Sequence, residues 1–294
     1  MTSRVVLICG ASSGIGLATA LRFAGSGDRL ALMARDPESL ARAVAQCREA
    51  GARDVIQVPG NIARQSDVQQ AVRTTVDRYG RLDAVVQSAM VMAYGQVEQL
   101  PAEVFRAVVD TATLGTFHLA QAVLPVFRRQ RRGTLVVINS LLGEATVPDM
   151  GAYATAKWAQ RALVRTLQQE TRKASDVHVC MVSPGGINTP IYYQAATYTE
   201  RQARPPFPVL KPERVAETVA RLLERPRRNV SVRVGPVNPV ILAGFRFLPS
   251  VYDRIVGALF RIASLSGPKI EPTPGNVLEP KPDGERLHGR WPAD

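Results

Sequence analysis

The sequence contains few cysteines and no long apolar segment. Its three cysteines, Cys9, Cys47 and Cys180, are scattered over 294 residues, which excludes a disulfide framework and the clustered ligand spacing of a zinc site. No run of about 18 apolar residues is present, so no transmembrane helix is expected. Only residues 5–8 are continuously apolar before the first glycine-rich turn, which is too short for a signal peptide. We therefore predict a cytoplasmic protein without a bound metal.

Lysine is also scarce, since only five of the 37 basic residues are lysine and the others are arginine. Against 25 acidic residues the chain carries a net charge of +12, which suits nucleic acid, a membrane surface or an anionic ligand. No nucleic-acid recognition motif accompanies this charge, so we predict no nucleic-acid partner. The hydrophobic fraction of 46% is that of a globular protein rather than a disordered or fibrous one.

Short β-branched segments alternate with longer helical patterns along most of the chain. The predicted strands are residues 4–9, 29–34, 54–58, 83–87, 134–139, 177–182 and 230–235. The predicted helices are residues 15–27, 38–50, 66–79, 101–129, 152–173 and 212–225. Strand–helix alternation is typical of right-handed crossovers between parallel strands. The pattern therefore predicts an α/β fold with a doubly wound parallel sheet.

The last part of the chain departs from this alternation. We interpret residues 1–235 as one domain and residues 236–294 as a C-terminal extension with an amphipathic helix at 249–265. Three alternatives stay open for this helix: packing on its own domain or a second subunit, peripheral contact with a membrane interface, or closure of a substrate site. The Pro- and Gly-rich residues 268–294 are interpreted as disordered or as an extended strap. Residues 188–212 are predicted to form a mobile loop over a site.

A glycine-rich turn follows the first predicted strand. Its sequence, Gly10-Ala-Ser-Ser-Gly14-Ile-Gly16, leads directly into the first predicted helix. Glycines allow a tight turn and a close approach of backbone N–H groups to a phosphate, and the helix N-terminus adds positive charge. We therefore expect a dinucleotide pyrophosphate to be bound here, by Gly10, Ser12, Ser13, Gly14, Ile15 and Gly16.

The end of the second predicted strand bears on the choice of dinucleotide. An acidic residue at this point would accept a hydrogen bond from the ribose 2′-hydroxyl of NAD, whereas an arginine accommodates the 2′-phosphate of NADP. Ala34 ends the strand and Arg35 follows it, while Asp36 precedes a proline and is more typical of a turn or a helix start. These residues predict NADP(H) as the cofactor.

Ser140, Tyr153 and Lys157 form the predicted catalytic group. Tyr153 and Lys157 are four residues apart on a predicted helix and therefore share a face. A nearby ammonium favours the phenolate, so the pair predicts a lowered tyrosine pKa and proton exchange with an alcohol oxygen. Ser140 follows the fifth predicted strand, where its hydroxyl can hold the same oxygen.

These motifs resemble those of the short-chain dehydrogenase/reductase family over about residues 4–235. The resemblance is carried by residues 10–16, Ser140, the segment Tyr153-Ala-Thr-Ala-Lys157 and the segment Pro184-Gly185-Gly186-Ile187-Asn188-Thr189. It implies a Rossmann-type domain with seven parallel strands in the order 3-2-1-4-5-6-7. It also implies that Ser140 orients a carbonyl group, Tyr153 protonates it, and Lys157 holds the nicotinamide ribose.

The resemblance further implies which other residues contact the cofactor. They are Asn61, Ile62, Ala89, Pro184, Gly185, Ile187 and Thr189. Several positions depart from the family pattern: Cys9 replaces a threonine, Asn61 an aspartate that receives the adenine amino group, Met90 a glycine, and Ala112 the asparagine that supports a proton relay.

We therefore predict an NADP(H)-dependent oxidoreductase that interconverts a ketone and a secondary alcohol. The alternative is a cofactor-binding homologue with non-redox chemistry or little turnover. A mostly apolar pocket favours a lipophilic substrate, and the residues expected to line it are Met90, Met92, Tyr94, Leu141, Leu142, Met150, Ile191, Tyr192 and Tyr193. The resemblance also suggests a homodimer or homotetramer that associates through the predicted helices 101–129 and 152–173.

Overall fold

A seven-stranded parallel sheet forms the centre of the computed structural model, which describes residues 3–174, 176–225, 231–234 and 238–293. Its strands are β1 (Val5–Cys9), β2 (Arg29–Ala34), β3 (Asp54–Pro59), β4 (Ala84–Gln87), β5 (Gly133–Ile138), β6 (Val177–Pro184) and β7 (Ser231–Val234). They are ordered β3-β2-β1-β4-β5-β6-β7 and every neighbouring pair is parallel. The predicted Rossmann-type fold is therefore confirmed. Of the last predicted strand, Val230 and Gly235 lie outside the described residues.

The helices cover both faces of the sheet. They are α1 (Gly14–Ala24), α2 (Pro37–Glu49), α3 (Gln65–Tyr79), α4 (Ala102–Val109), α5 (Gly115–Gln130), α6 (Gly151–Glu170), α7 (Ile191–Gln194), α8 (Pro212–Glu224), α9 (Asn238–Phe247) and α10 (Pro249–Ser264). Helices α1, α2 and α8 pack into an apolar cluster on one face, and α3, α5 and α6 pack into a second cluster on the other. Parallel sheets occur almost only with both faces covered in this way.

Strand β1 shows how the sequence satisfies both faces. All five of its residues are buried. Val6 and Ile8 belong to the cluster that contains α1, whereas Val5 and Leu7 belong to the cluster that contains α3. Successive side chains of a strand point to opposite faces, so an uninterrupted apolar run is required where both faces are covered. The three cysteines of the chain are also buried in these two clusters.

The predicted helix 101–129 changes its helical pitch in the middle. Helix α4 leads into a π-helical turn at Asp110–Leu114, and α5 continues from Gly115. Such turns locally widen a helix and are frequent at functional sites. This turn contains Ala112, whose carbonyl oxygen accepts a hydrogen bond from Gln160 of α6 at 3.2 Å.

Within its described residues, the C-terminal extension contains the α-helices α9 and α10, of which only α10 is predicted from the sequence. Tyr252 is buried, and its hydroxyl donates a hydrogen bond to the carbonyl oxygen of Thr146 at 2.9 Å. Phe260 stacks on Tyr94 with ring centroids 6.4 Å apart, so α10 packs on its own domain. The apolar stripe seen in the sequence stays 49–68% exposed at Val251, Ile255, Leu259 and Ile262, and the first three of these residues line a cavity at the carboxyl ends of the strands. Among the described residues, no helix has the length and apolar character needed to cross a bilayer.

After α10 the chain returns across the domain as an extended segment. We call residues 273–291 the C-terminal strap. Thr273 exchanges two backbone hydrogen bonds with Thr197, and the N–H of Asn276 donates to the carbonyl oxygen of Gln194 at 2.8 Å. Of the two interpretations of this region, the structure shows the extended strap.

We expect the substitution Phe127→Ala to lower the free energy of unfolding by about 3–5 kcal/mol. Phe127 lies on α5 and is fully buried, so its removal leaves a cavity that close-packed neighbours cannot fill. Chemical denaturation measures the change. The control Phe247→Ala removes a side chain of α9 that is 72% exposed and should change the same quantity by less than about 0.5 kcal/mol. Equal losses in the two variants would contradict this description of the core.

Candidate active site

A cavity of about 700 Å³ opens at the carboxyl ends of the strands. One end lies at the turn after β1 and the end of β2. The cavity continues past the ends of β4, β5 and β6 and reaches helices α9 and α10. Ligands of doubly wound sheets bind at this edge, so the residues that follow these strands define the candidate active site.

The turn after β1 brings backbone N–H groups to one end of the cavity. Gly10 has a φ of +80°, and a Cβ atom added to it would approach the Cα of Ala89 within 2.6 Å. A Cβ atom at Gly16 would overlap the carbonyl oxygen of Gly10. Helix α1 begins at Gly14, and its N-cap residue Ser13 makes no side-chain capping bond. A glycine cradle at a helix N-terminus fits a dinucleotide pyrophosphate.

Arg35 lies at the end of β2, close to this turn. The neighbouring Asp36 is the N-cap residue of α2. Its carboxylate caps the helix by accepting a hydrogen bond from the backbone N–H of Ser39 at 2.7 Å. The guanidinium of Arg35 donates to the carbonyl oxygens of Asn276 and Val277 at 2.6 and 3.1 Å. The arginine that predicts NADP(H) is therefore bonded to the C-terminal strap.

Ser140, Tyr153 and Lys157 meet on one wall of the cavity. Ser140 caps a short 3-10 turn after β5, where its Oγ accepts a hydrogen bond from the N–H of Leu142 at 3.1 Å. The Ser140 hydroxyl lies beside the phenol of Tyr153, whose side chain is buried at 7% exposure. The Nζ atom of Lys157 lies 5.8 Å from the centroid of the Tyr153 ring. The structure thus brings the three predicted catalytic residues together.

The ammonium group of Lys157 is held by a buried network of amides. Its Nζ donates to the carbonyl oxygen of Ile138 at 2.9 Å and to Oε1 of Gln160 at 3.0 Å. Nδ2 of Asn139 also donates to this Oε1, at 3.1 Å, and Nε2 of Gln160 donates onward to Ala112. Neither Gln160 nor Asn139 is predicted from the sequence. The one signal that could have identified Gln160 is its position three residues after the lysine on the same helix. The side-chain amide of Gln160 therefore bridges Lys157 and the carbonyl oxygen of Ala112.

Burial is the largest influence on the pKa of both Tyr153 and Lys157. It raises the pKa of Tyr153 to about 12, while the hydrogen bond with Ser140 acts in the opposite direction. Burial also lowers the pKa of Lys157 to about 7. The predicted lowering of the tyrosine pKa is therefore wrong, because the ammonium is bonded to Ile138 and Gln160 and the phenol lies in an apolar environment. A tyrosine that keeps its proton can donate it to a carbonyl oxygen.

The part of the cavity beyond Tyr153 is largely apolar. It is lined by all predicted pocket residues except Tyr193, namely Met90, Met92, Tyr94, Leu141, Leu142, Met150, Ile191 and Tyr192. The prediction for Tyr193 is wrong, since its hydroxyl instead donates to the carbonyl oxygen of Gly284 in the strap at 2.8 Å. Helices α9 and α10 add further lining residues, which include Ile241, Val256 and Phe260. Helix α10 therefore both packs on its domain and lines this end of the cavity.

The residues predicted to contact a cofactor gather in the same cavity with one exception. Those along its lining are Gly10, Ser12, Ser13, Gly14, Ile15, Arg35, Asn61, Ile62, Ala89, Tyr153, Lys157, Pro184, Gly185, Ile187 and Thr189. Gly16 is buried behind Gly10 and acts on the cavity only by allowing the close approach of α1. The Oδ1 of Asn61 accepts a hydrogen bond from the N–H of Ala63 at 3.0 Å, so this side chain also shapes its own loop.

Comparisons with known proteins agree with this geometry. The family model described as short chain dehydrogenase matches residues 4–199. The chain is 30% identical over 244 residues to an uncharacterized oxidoreductase of Listeria monocytogenes, a match that covers 81% of this chain and 96% of the relative.

Two solved structures share the fold over most of the chain. An alcohol dehydrogenase from the archaeon Thermococcus sibiricus, complexed with 5-hydroxy-NADP, superposes with a TM-score of 0.69 at 29% identity. A short chain dehydrogenase from Mycobacterium paratuberculosis, bound to NAD, superposes with a TM-score of 0.69 at 25% identity. Each match covers 79% of this chain and 96% of the solved chain.

The family match includes the glycine-rich turn, Ser140, Tyr153 and Lys157, and it ends before α8. The sheet order and the cavity at the strand ends agree with the same assignment. This chain is therefore an oxidoreductase of the short chain dehydrogenase family.

Proposed function

We propose that this oxidoreductase interconverts a lipophilic ketone and a secondary alcohol and uses NADP(H). The observation that carries the proposal is the placement of Ser140, Tyr153 and Lys157 on the wall of a cavity whose outer part is apolar. A ketone requires a proton donor at its oxygen, and an apolar cavity favours hydrophobic substituents on its carbonyl carbon.

Tyr153 is the proton donor to the carbonyl oxygen in reduction and accepts the proton in oxidation. Its pKa, raised to about 12 by burial, keeps the phenol protonated at neutral pH. The Ser140 hydroxyl lies beside Tyr153 on the same wall of the cavity, so it can donate to the same substrate oxygen and stabilise the negative charge that grows there. A nicotinamide held by the residues of this cavity would supply the hydride to the carbonyl carbon, or accept it in the reverse direction.

Gln160 connects Lys157 to the backbone of Ala112, whose own side chain has no polar atom. Lys157 has a pKa of about 7, so it can exchange a proton near neutral pH. Its Nζ is bonded to Gln160, whose Nε2 donates both to Ala112 and to the hydroxyl oxygen of Thr116 at 2.9 Å. We assign Gln160 as a positioning residue that orients the lysine and adjusts its pKa.

The end of β2 supports NADP(H) as the cofactor. Ala34 ends the strand without a carboxylate, and the carboxylate of Asp36 caps α2. Arg35 provides the positive charge that suits a 2′-phosphate. The two solved relatives differ in their bound dinucleotide, so this part of the proposal depends on Arg35.

We also propose that the chain forms a homodimer or homotetramer through α4–α5 and α6. Three large apolar side chains on these elements, Leu114, Phe117 and Trp158, are 41–42% exposed, and association would remove them from water. Light scattering should therefore give two or four times the monomer mass of 31.9 kDa. A solution mass of one chain would remove this proposal.

Oxidation of NADPH in the presence of hydrophobic ketones tests the proposed reaction. Tyr153→Phe keeps the ring but removes the donated proton, so it should lower turnover by about 10²–10⁴-fold and leave NADPH affinity nearly unchanged. The control Tyr79→Phe removes a hydroxyl that bonds to Leu30, outside the cavity, and should retain full turnover. Full activity of Tyr153→Phe would show that the chemistry is different.

The pH profile of turnover tests the assignment of Gln160. Gln160→Leu removes an acceptor of the buried Lys157 ammonium, so the pKa of Lys157 should fall. The part of the pH profile that follows the ionisation of Lys157 should then move to lower pH. Gln160→Glu adds a negative charge beside the ammonium and should move that part of the profile to higher pH.

The matched control is Gln168→Leu. Gln168 is also buried on α6, but its Nε2 donates to the carbonyl oxygen of Val179 rather than to the lysine network. Its substitution should leave the pH profile in place. Shifts in the same direction for both Gln160 variants would show that this residue does not act through the charge of Lys157.

A further inference from the structure

The C-terminal strap crosses the cavity at the turn after β1 and the end of β2. The carbonyl oxygen of Arg286 accepts a hydrogen bond from the N–H of Gly14 at 3.0 Å, at the N-terminus of α1. The carbonyl oxygens of Asn276 and Val277 accept from Arg35 at 2.6 and 3.1 Å. The strap is therefore bonded to both elements that hold the pyrophosphate and the adenosine ribose in folds of this type.

Contacts on both sides of Glu285 fasten the strap to the domain. On one side, the hydroxyl of Tyr193 donates to the carbonyl oxygen of Gly284 at 2.8 Å. On the other side, Nδ2 of Asn188 donates to the carbonyl oxygen of Trp291 at 2.6 Å. Because both neighbouring segments are bonded to the domain, the position of Glu285 is determined by the docked strap.

The docked strap places a carboxylate beside Arg35. Glu285 lines the cavity, and the side chains of Ser12 and Ser39 and the charge of Arg35 all act on its carboxyl group. Its Oε2 is buried and has no hydrogen-bond partner within the part of the chain that the structure describes. Burial raises the pKa of this carboxyl, and the charge of Asp36 acts in the same direction, while the two serines and Arg35 oppose them. A buried acceptor of this kind is suited to a ligand hydroxyl.

A ribose hydroxyl and a 2′-phosphate require opposite charges in this subsite. The hydroxyl donates a hydrogen bond to a carboxylate, whereas the phosphate requires a cation such as Arg35. The negative charges of Glu285 and Asp36 oppose a phosphate placed next to them. The strap also engages two nitrogen atoms of the Arg35 guanidinium through its own carbonyl oxygens.

We propose that Glu285 is a specificity-determining residue that accepts a ribose hydroxyl of NAD(H) and opposes the 2′-phosphate of NADP(H). The inference rests on the proposed function, since it concerns the same dinucleotide site. It divides the choice of dinucleotide between two residues. Arg35 favours NADP(H), and the docked strap reduces that preference through Glu285.

Calorimetric titration of the full chain with NADPH and with NADH tests this inference without requiring turnover. Glu285→Gln should raise the affinity for NADPH relative to NADH by about tenfold. Glu285→Lys should raise the same ratio further, because it replaces a negative charge with a positive one. A larger increase in Glu285→Lys than in Glu285→Gln would indicate an effect of charge. Simple release of the strap would instead change the ratio equally in both variants.

The matched control is Glu279→Gln, which removes an exposed carboxylate from the same strap and should keep the wild-type ratio. Arg35→Ala should lower the ratio both in the wild type and together with Glu285→Gln. An unchanged ratio in both Glu285 variants, equal shifts in the two, or an equal shift in Glu279→Gln would overturn the assignment of Glu285.

The same titrations separate this inference from the proposed function. A wild-type chain that binds neither dinucleotide would overturn both. A ratio that responds to Arg35→Ala but not to the Glu285 variants would support the proposed cofactor site and overturn the inference alone.

Discussion

The burial of one ammonium group organises the centre of this molecule. Lys157 is 2% exposed, and an ammonium removed from water is tolerated only where hydrogen bonds replace its hydration. Those bonds come from the end of β5 and from Gln160 on α6, and Gln160 in turn binds the π turn between α4 and α5. These hydrogen bonds fix the relative positions of the end of β5, helix α6 and the π turn. The wall that carries Ser140 and Tyr153 depends on this arrangement.

The backbone explains how the site accommodates its departures from the family pattern. Ala112 has no polar side chain, but the π turn contains its carbonyl oxygen, which binds Gln160. Met90 lies where the family has a glycine, and its side chain packs with the apolar residues of the cavity. At the first departure the backbone carbonyl accepts a hydrogen bond from α6, and the second extends the apolar surface of the cavity.

The C-terminal extension acts on both ends of the cavity. Helix α10 covers the apolar end through residues such as Phe260, which stacks on Tyr94. The strap reaches the opposite end, where Asn276 and Val277 bind Arg35 and Glu285 lines the cavity. Because the family match ends at residue 199, these contacts are additions to the family core. They combine an apolar lining at one end of the cavity with a second charge beside Arg35 at the other.

The sequence by itself determined the sheet, its flanking helices and the residues that meet at the strand ends. Apolar runs, helical periodicity and glycine spacing are local properties, and the four-residue separation of Tyr153 and Lys157 is enough to place them on one helix face. Only the tertiary structure decided that the pKa of Tyr153 is raised, that Lys157 bonds to Gln160, and that Glu285 lies beside Arg35. Burial and charge are sums over neighbours from distant parts of the chain, and a linear pattern does not contain those neighbours.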